Sequence, residues 1–254
     1  MTGVLPVALM DATKVVQALL MAGKEYISVM KIHADLPEER IKSVLQEFHG
    51  SIYQRPPIRA SVKRRVRVRR IYYLDFLEAE GRNVLLRVGC EAGTYIRKLI
   101  HDVGEVLGCG AHMHELRRTR AGPFDEKKDL VKLHDALYWY SLWKETDDES
   151  HLRRFILPME RAVDLLPKIY IRDSAVDAVC HGAHLTAPGV TYIETGIKPK
   201  ANVAVMTLKG ELVSFAKAVT RTDEIMKLSH GIVAKNTRVL MPRGTYPKLW
   251  SSSR

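Results

Sequence analysis

Val84-Leu85-Leu86-Arg87-Val88-Gly89-Cys90 runs without a break into Glu91-Ala92-Gly93-Thr94-Tyr95-Ile96-Arg97-Lys98-Leu99-Ile100-His101-Asp102-Val103-Gly104-Glu105-Val106-Leu107. Val84 to Val88 is a short apolar run. It follows the turn Glu80-Gly81-Arg82-Asn83 and reads as a strand, paired across that turn with Leu74 to Leu77. Beyond Gly93 the period changes. Ile96, Leu99, Ile100, Val103 and Leu107 recur at helical spacing and form one buried stripe. Thr94 can cap this helix, and Gly108 and Gly110 end it. Strand and helix are therefore immediate neighbours, and both element types build this part of the chain.

Upstream, Lys63-Arg64-Arg65-Val66-Arg67-Val68-Arg69-Arg70 alternates at period two. Its arginines share one strand face and its valines the other, so a row of guanidinium groups is expected on one side. Gln54 to Ile58 holds Pro56-Pro57 and is expected to be extended and irregular. Pro37 to Phe48 reads as an amphipathic helix opened by Glu38 and Glu39 and closed at Gly50. Lys24 to His33 alternates as a strand, with Ile27 and Val29 on one face and Tyr26, Ser28 and Met30 on the other. Ala12 to Leu20 reads as a short helix with Val16, Leu19 and Leu20 on one side and Asp11 near its start. Thr2 to Leu9 reads as a buried apolar segment, and a buried segment so near the first residue suggests further chain upstream.

Downstream, helical segments are predicted from Leu130 to about Val163, with an exposed acidic stretch at Glu145, Asp147, Asp148 and Glu149. Pro167 marks a boundary. Beyond it come short β-like pieces such as Ile169-Tyr170-Ile171, Ala204-Val205-Met206 and Val213-Ser214-Phe215. Lys209-Gly210 and Pro188-Gly189 form turns, and the whole reads as a compact β-rich second domain.

The formal net charge is +11 over 254 residues, which favours anionic partners. From Arg59 to Arg70 seven of twelve residues are basic and none is acidic. No 18-residue apolar run exists, and the basic cluster is not interleaved at helical spacing with large apolar residues. Nucleic acid thus suits this charge better than a membrane. Cys90, Cys109 and Cys180 are odd in number and widely spaced, which fits a reducing cytosol rather than a disulfide framework. Cys109, His112 and His114 cluster, but a zinc site would need a fourth ligand, and none is evident.

Several separated motifs stand in a specific order. They are Thr2-Gly3-Val4-Leu5-Pro6-Val7-Ala8-Leu9, Lys24-Glu25-Tyr26, Ile52-Tyr53-Gln54-Arg55-Pro56-Pro57 running into Val62-Lys63-Arg64-Arg65, Gly93-Thr94-Tyr95-Ile96-Arg97, Glu115-Leu116-Arg117-Arg118-Thr119, and Met241-Pro242-Arg243-Gly244-Thr245-Tyr246-Pro247. With this set the sequence resembles the TruB-like pseudouridine synthases over essentially its whole length, in the archaeal and eukaryotic H/ACA branch that includes dyskerin. The resemblance implies an α+β fold. A mixed or antiparallel-sheet catalytic domain over residues 1–167 would precede a small β-barrel-like PUA RNA-binding domain over 168–254.

The same resemblance implies a cofactor-free, metal-free isomerisation of uridine in tRNA or rRNA. The base is flipped out, detached from ribose, rotated and rejoined through carbon 5, and lost stacking must be replaced by protein. Guide RNA would choose the site, small H/ACA proteins would be partners, and the location would be cytoplasmic. The family nucleophile is an aspartate four residues before the threonine matching Thr2, so it is expected upstream of Met1. An internal GUG codon taken as a start would produce such an opening. Asp11 is not a match and reads as a helix-start acid.

Four residues match the family's active site. Tyr26 matches a tyrosine that packs on the flipped base; its plainer role is a half-buried strand tyrosine. Tyr95 matches a second tyrosine, for proton transfer or base contact, or else is a core aromatic at a helix start. Arg97 matches the arginine that pairs with the nucleophilic aspartate. It sits in a helix first turn, where the dipole disfavours a cation. Leu116 matches a residue walling the pocket. Lys63, Arg64, Arg65, Arg67 and Arg69 are expected at RNA phosphates, or to protect an edge strand by charge. Gly182, Arg243 and Lys248 are RNA contacts by resemblance only. The competing reading is a non-catalytic RNA-binding or scaffold protein derived from such enzymes.

Overall fold

The computed structural model describes residues 2–57 and 62–249. Ile58 and Arg59, the end of the irregular stretch and the start of the basic cluster, lie outside the described residues, as do Met1 and Trp250. The chain divides into two compact units. The first comprises Met1–Ala8 and Gln17–Ile156, the second Leu9–Val16 and Leu157–Arg254.

The first unit is built on a seven-stranded sheet. Its strands are β1 (Thr2–Gly3), β2 (Lys24–Ile32), β3 (Gly50–Gln54), β4 (Arg67–Glu80), β5 (Asn83–Cys90), β6 (Ala111–Ala121) and β7 (Phe124–Asp125). The order is β1-β6-β2-β5-β4-β3, with β7 on β6. β1 joins β6 in parallel, and the other pairs are antiparallel. β2 lies between β5 and β6 along its whole length. Its Tyr26 face carries the fully buried Ser28, Met30 and Ile32.

Two helices supply the rest of this core: α2 (Glu38–Glu47), which follows α1 (Val16–Met21), and α3 (Ile96–Leu107). α2 buries Ile41, Val44 and Leu45, and α3 buries the stripe read from its spacing. Gly108 ends α3 in the left-handed conformation at φ +81°, where a side chain would be strained.

Four local expectations are corrected. Thr94 does not cap α3. Its hydroxyl turns back to the Glu91 carbonyl at 2.7 Å, and Tyr95 is the N-cap residue without a side-chain cap bond. The basic strand is continuous with the strand expected at Leu74 to Leu77, because β4 runs unbroken over 14 residues. Ala12 to Leu20 is a 3-10 turn, Met10–Val15, followed by α1; Val15 and Ala18 are buried, whereas Leu20 is exposed. In the opening segment only Val4 is buried; Leu5, Val7 and Leu9 are exposed among the described residues, because β1 is two residues long.

The segment expected to be helical contains α4 (Leu133–Thr146) and the 3-10 turns Leu152–Arg154 and Met159–Val163. α4 has no buried residue, despite its four aromatic and leucine-rich turns.

In the second unit, strands β8 (Lys168–Ile171), β9 (Leu185–Thr186), β10 (Val190–Ile193), β11 (Asn202–Thr207), β12 (Leu212–Ala218) and β13 (Ile232–Val239) form one sheet in the order β10-β8-β11-β12-β13-β9. Only β8 and β11 run parallel. α5 (Asp173–Cys180) and the short α6 (Thr222–Ile225) bury Val176, Val179 and Ile225 in its core. Tyr246 anchors the segment after β13: its hydroxyl donates to Glu211, which also accepts from Thr207.

Candidate functional site

The Tyr26 end of β2 gathers a set of polar groups. Tyr26 lies directly opposite Arg118 of β6 and Val88 of β5. Its ring is half-buried against the same core that holds Leu116. The Arg118 side chain donates from Nε to the Val4 carbonyl at 2.6 Å. Burial pushes the Tyr26 phenol up, Cys90 adds to this, and the Arg118 charge partly opposes it. Cys90 is buried and pushed up to about 11 by that burial, in spite of a hydrogen bond with Thr94 and the nearby Lys24 charge. It is a neutral wall rather than a nucleophile.

Lys24 looked like part of a motif without a role. Its ammonium donates to the carbonyls of Leu19, Leu20 and Ala22 at 3.1, 2.9 and 2.6 Å, which are orphan acceptors at the end of α1. Burial, then the Arg118 charge, lowers its pKa. Lys24 thus joins α1 to the start of β2.

Tyr95 and Arg97 are placed by the turn from β5 into α3. Gln54, at the end of β3, is 2% exposed. Its amide accepts from the Tyr95 N–H at 3.0 Å and donates to the Tyr95 carbonyl at 3.2 Å. This pair fixes the entry of α3. Arg97 is exposed in the first turn, where no acidic residue stands, and it meets no carboxylate among the described residues.

The arginine row needs correction. Arg65 precedes β4, together with Lys63 and Arg64, and these three are exposed. Within β4, Arg67 and Arg69 share the face of buried Ile71, and they pair across to Gln54 and Ile52. The valines, not the arginines, face outward: Val66 is 60% and Val68 is 50% exposed. The physical reason is the N-terminal approach to α3. Gly93 lies beneath Arg69, where a side chain at φ +78° would meet the guanidinium. The Nε atoms of Arg67 and Arg69 are buried without a hydrogen-bond partner. Two cations are therefore held beside the residues that carry Tyr95 and Arg97.

On the opposite face of β2, Glu25 accepts hydrogen bonds from Tyr73 and from Thr119, the latter at 2.7 Å. Burial would raise the Glu25 pKa, but these bonds and the nearby arginines hold it below the usual value. Tyr73 is pushed up to about 12 by burial and the Glu25 bond.

In the second unit, Gly182 and Arg243 line one cavity of about 320 Å³, together with Lys14, His181 and Met241. Lys248 is exposed and is not among its lining residues. Gly182 sits at φ +93° with open space around it. Lys14, paired with Asp11 at 2.9 Å, is a cation that no local pattern could have assigned to this cavity. Asp11 is accordingly a first-turn acid.

Among the described residues no group of three or more His, Cys, Asp or Glu is arranged to hold a metal. His112 instead meets His33, Nδ1 to Nε2 at 2.8 Å, and Cys109 bonds the Gly110 carbonyl. All three cysteines are free.

The family described as "tRNA pseudouridylate synthase B C-terminal domain" matches residues 97–164, the PUA domain matches 167–240, and "Pus10, C-terminal" matches 7–110. A Pyrococcus abyssi protein described as a probable tRNA pseudouridine synthase B is 57% identical over 249 residues, covering 98% of this chain and 75% of that protein. A Methanosarcina barkeri protein of the same description is 56% identical over 250 residues, covering 98% and 74%. The crystal structure of a Cbf5-Nop10-Gar1 complex matches with a TM-score of 0.93 at 56% identity, over 97% of this chain and 75% of that one. An H/ACA RNP bound to a substrate RNA containing 2'-deoxyuridine matches with a TM-score of 0.90 at 53% identity, over 98% and 75%.

Proposed function

Because the chain belongs to the archaeal Cbf5/dyskerin-type branch of the TruB-like pseudouridine synthases, we propose that it is the catalytic subunit of a guide-RNA ribonucleoprotein that isomerises uridine to pseudouridine in tRNA or rRNA. The observation that carries this reading is the match of 0.93 in TM-score at 56% identity over 97% of the chain. Its partners are H/ACA guide RNA, substrate RNA, and small proteins like those in the matching complexes with Nop10 and Gar1. Residues 1–167 form the catalytic domain and 168–254 the PUA domain. The location is cytoplasmic; among the described residues no helix is long and apolar enough to cross a membrane.

In this reading Tyr26 stacks on the extruded base and Leu116 walls its pocket. Tyr95 touches the base or moves a proton. Arg97, exposed at the head of α3, holds the nucleophilic carboxylate ionised and oriented. Arg67 and Arg69, with Lys63, Arg64 and Arg65, take phosphates near that point, which positions the strand without reading its sequence. Gly182, Arg243 and Lys248 contact RNA in the second unit. Gly182 lets a backbone approach closely, and Arg243 adds charge.

The test is pseudouridine formation in a complex assembled with guide RNA, substrate RNA and the small proteins. The 254-residue chain is compared with a form carrying a Gly-Thr-Leu-Asp-Pro-type segment before Thr2. Product is expected from the form that carries this segment. Equal rates would mean the nucleophile lies within the 254 residues, and no product from either form would favour a scaffold. Tyr26→Ala in the active form is expected to lose roughly tenfold to a hundredfold in rate, from a stacking contact worth about 1–3 kcal/mol.

A further inference from the structure

Behind Tyr26, on the opposite face of the sheet, one carboxylate ties strands together across β5. Glu25 of β2 accepts with both oxygens: Oε2 from the Tyr73 hydroxyl of β4, and Oε1 from the Thr119 hydroxyl of β6 at 2.7 Å. Arg120 of β6 donates to the Tyr73 oxygen at 3.1 Å. Tyr73 and Glu25 are not on neighbouring strands. β5 lies between them, and its Gly89 stands directly opposite both. The Tyr73 ring crosses over Gly89, where a Cβ would stand 2.2 Å from the ring's Cζ. The missing side chain is what lets this tyrosine reach β2.

Two strand irregularities sit at the same level. On the β2–β6 ladder the pairing passes from Tyr26 opposite Arg118 to Glu25 opposite Arg120, so Thr119 is one residue extra. On the β4–β5 ladder it passes from Ile71 opposite Cys90 to Tyr73 opposite Gly89, so Tyr72 is one residue extra. A β-bulge bends its strand and re-aims the side chains around it. Here the β6 bulge delivers two consecutive side chains, Thr119 and Arg120, to the Glu25–Tyr73 pair. The ladder step that skips Thr119 is the step from Glu25 to Tyr26.

We propose that Glu25 is a positioning residue: its carboxylate clamps the bulges of β4 and β6 to β2, and so fixes the backbone from which the Tyr26 ring projects into the core that holds Leu116. The inference rests on the proposed stacking role of Tyr26 for its purpose; the clamp itself is made of bonds within this chain. A shift of β2 between its neighbours must stretch one Glu25 bond or the other. A carboxylate has an oxygen for each hydroxyl, whereas a carboxamide has one oxygen for both. An offset of about an ångström at the reacting base costs on the order of a hundredfold in rate.

The test takes the full chain with Thr119→Val, Tyr73→Phe, Gly89→Ala or Glu25→Gln, and with Thr119→Ser as the conservative variant. The Tyr26 ring signals are followed by tyrosine-labelled NMR and assigned by their loss in Tyr26→Phe. Each of the first four changes is expected to move these signals, and Thr119→Ser, which keeps the hydroxyl, is expected to return them. In the active complex, Thr119→Val and Gly89→Ala are each expected to lower kcat per folded molecule about tenfold, with KM within about twofold. Thr119→Val and Glu25→Gln together should lose less than the product of their separate losses, since they break one linkage. Variants that unfold more readily while the ring signals and kcat per folded molecule stay at wild type would overturn the proposal, leaving Glu25 as a strand clamp only. A wild-type complex without product would overturn the stacking role instead, because the ring signals report the clamp without turnover.

Discussion

The two units bury polar side chains for different ends. In the first, Gln54 is spent on both backbone groups of Tyr95, Ser28 donates to the Glu115 carbonyl beside Leu116, and Thr119 donates to Glu25 next to Tyr26. In the second, Thr222 bonds the Ile197 N–H and the Glu194 carbonyl, and Thr207 with Glu211 receives Tyr246. The first set of bonds ends on Tyr95 or on the sequence neighbours of Tyr26 and Leu116. The second set ends on loops and a chain terminus. Burying a polar group is costly unless it is fully bonded, so each such residue marks a geometry the fold must hold. In the first unit that geometry belongs to the site; in the second it belongs to the frame.

Gln54→Leu breaks this contrast most sharply. It leaves the Tyr95 N–H without a partner, while the Tyr95 carbonyl keeps the Leu99 N–H at 3.0 Å, and the first unit is expected to lose about 2 kcal/mol in denaturant unfolding. Isomerisation should fall further than stability alone explains, because α3 enters at a different angle. If activity per folded molecule is unchanged, the wiring of this unit to the site is refuted. Thr222→Val is the matched change in the second unit. It should cost about 2 kcal/mol while activity per folded molecule stays within error. A selective loss of activity there would erase the distinction.

The smallest effect is a pH dependence. The folded first unit holds Cys90 at about 11 and Tyr73 at about 12, against ordinary values of 9.0 and 10.0. Both are raised, so between those limits the native state keeps protons that the unfolded chain has released. Their contribution is full below about pH 9 and is lost as pH climbs through about 11 and then about 12. Urea midpoints measured from pH 8.5 to 12 should decline over that window. Tyr73→Phe should flatten its upper part, and an unchanged slope would show that Tyr73 is not held by Glu25.

Much of this was legible from local pattern. The stripe of α3, the turn at Gly81, the acid-led α2 and the β-rich second half all follow from period and punctuation, because those features depend on neighbours within one or two turns. The motifs single out Tyr26, Arg97 and Leu116; Tyr26 and Leu116 pack at one core, and Arg97 is exposed at the head of α3. What local pattern missed has one cause. In β4, alternation separates arginines from valines but cannot say which face is covered. Here Gly93 and the head of α3 come over the arginines, so the valines are left in solvent. Likewise Thr94 had the right chemistry for a cap, but the Gln54 amide, 41 residues away, already held the helix start.

The sequence by itself determined the element types, the excess of positive charge, the family, and the residues to suspect. Those properties are encoded in residue identity, order and short-range spacing. Only the tertiary structure decided that Lys24 ties off α1, that Lys14 joins Gly182 and Arg243 at one cavity, and that Arg118 of β6 holds the Val4 carbonyl. These are contacts between segments up to more than a hundred residues apart. The last exists because the sheet order puts β6 between β1 and β2, and no periodicity within a strand records which strand will lie beside it.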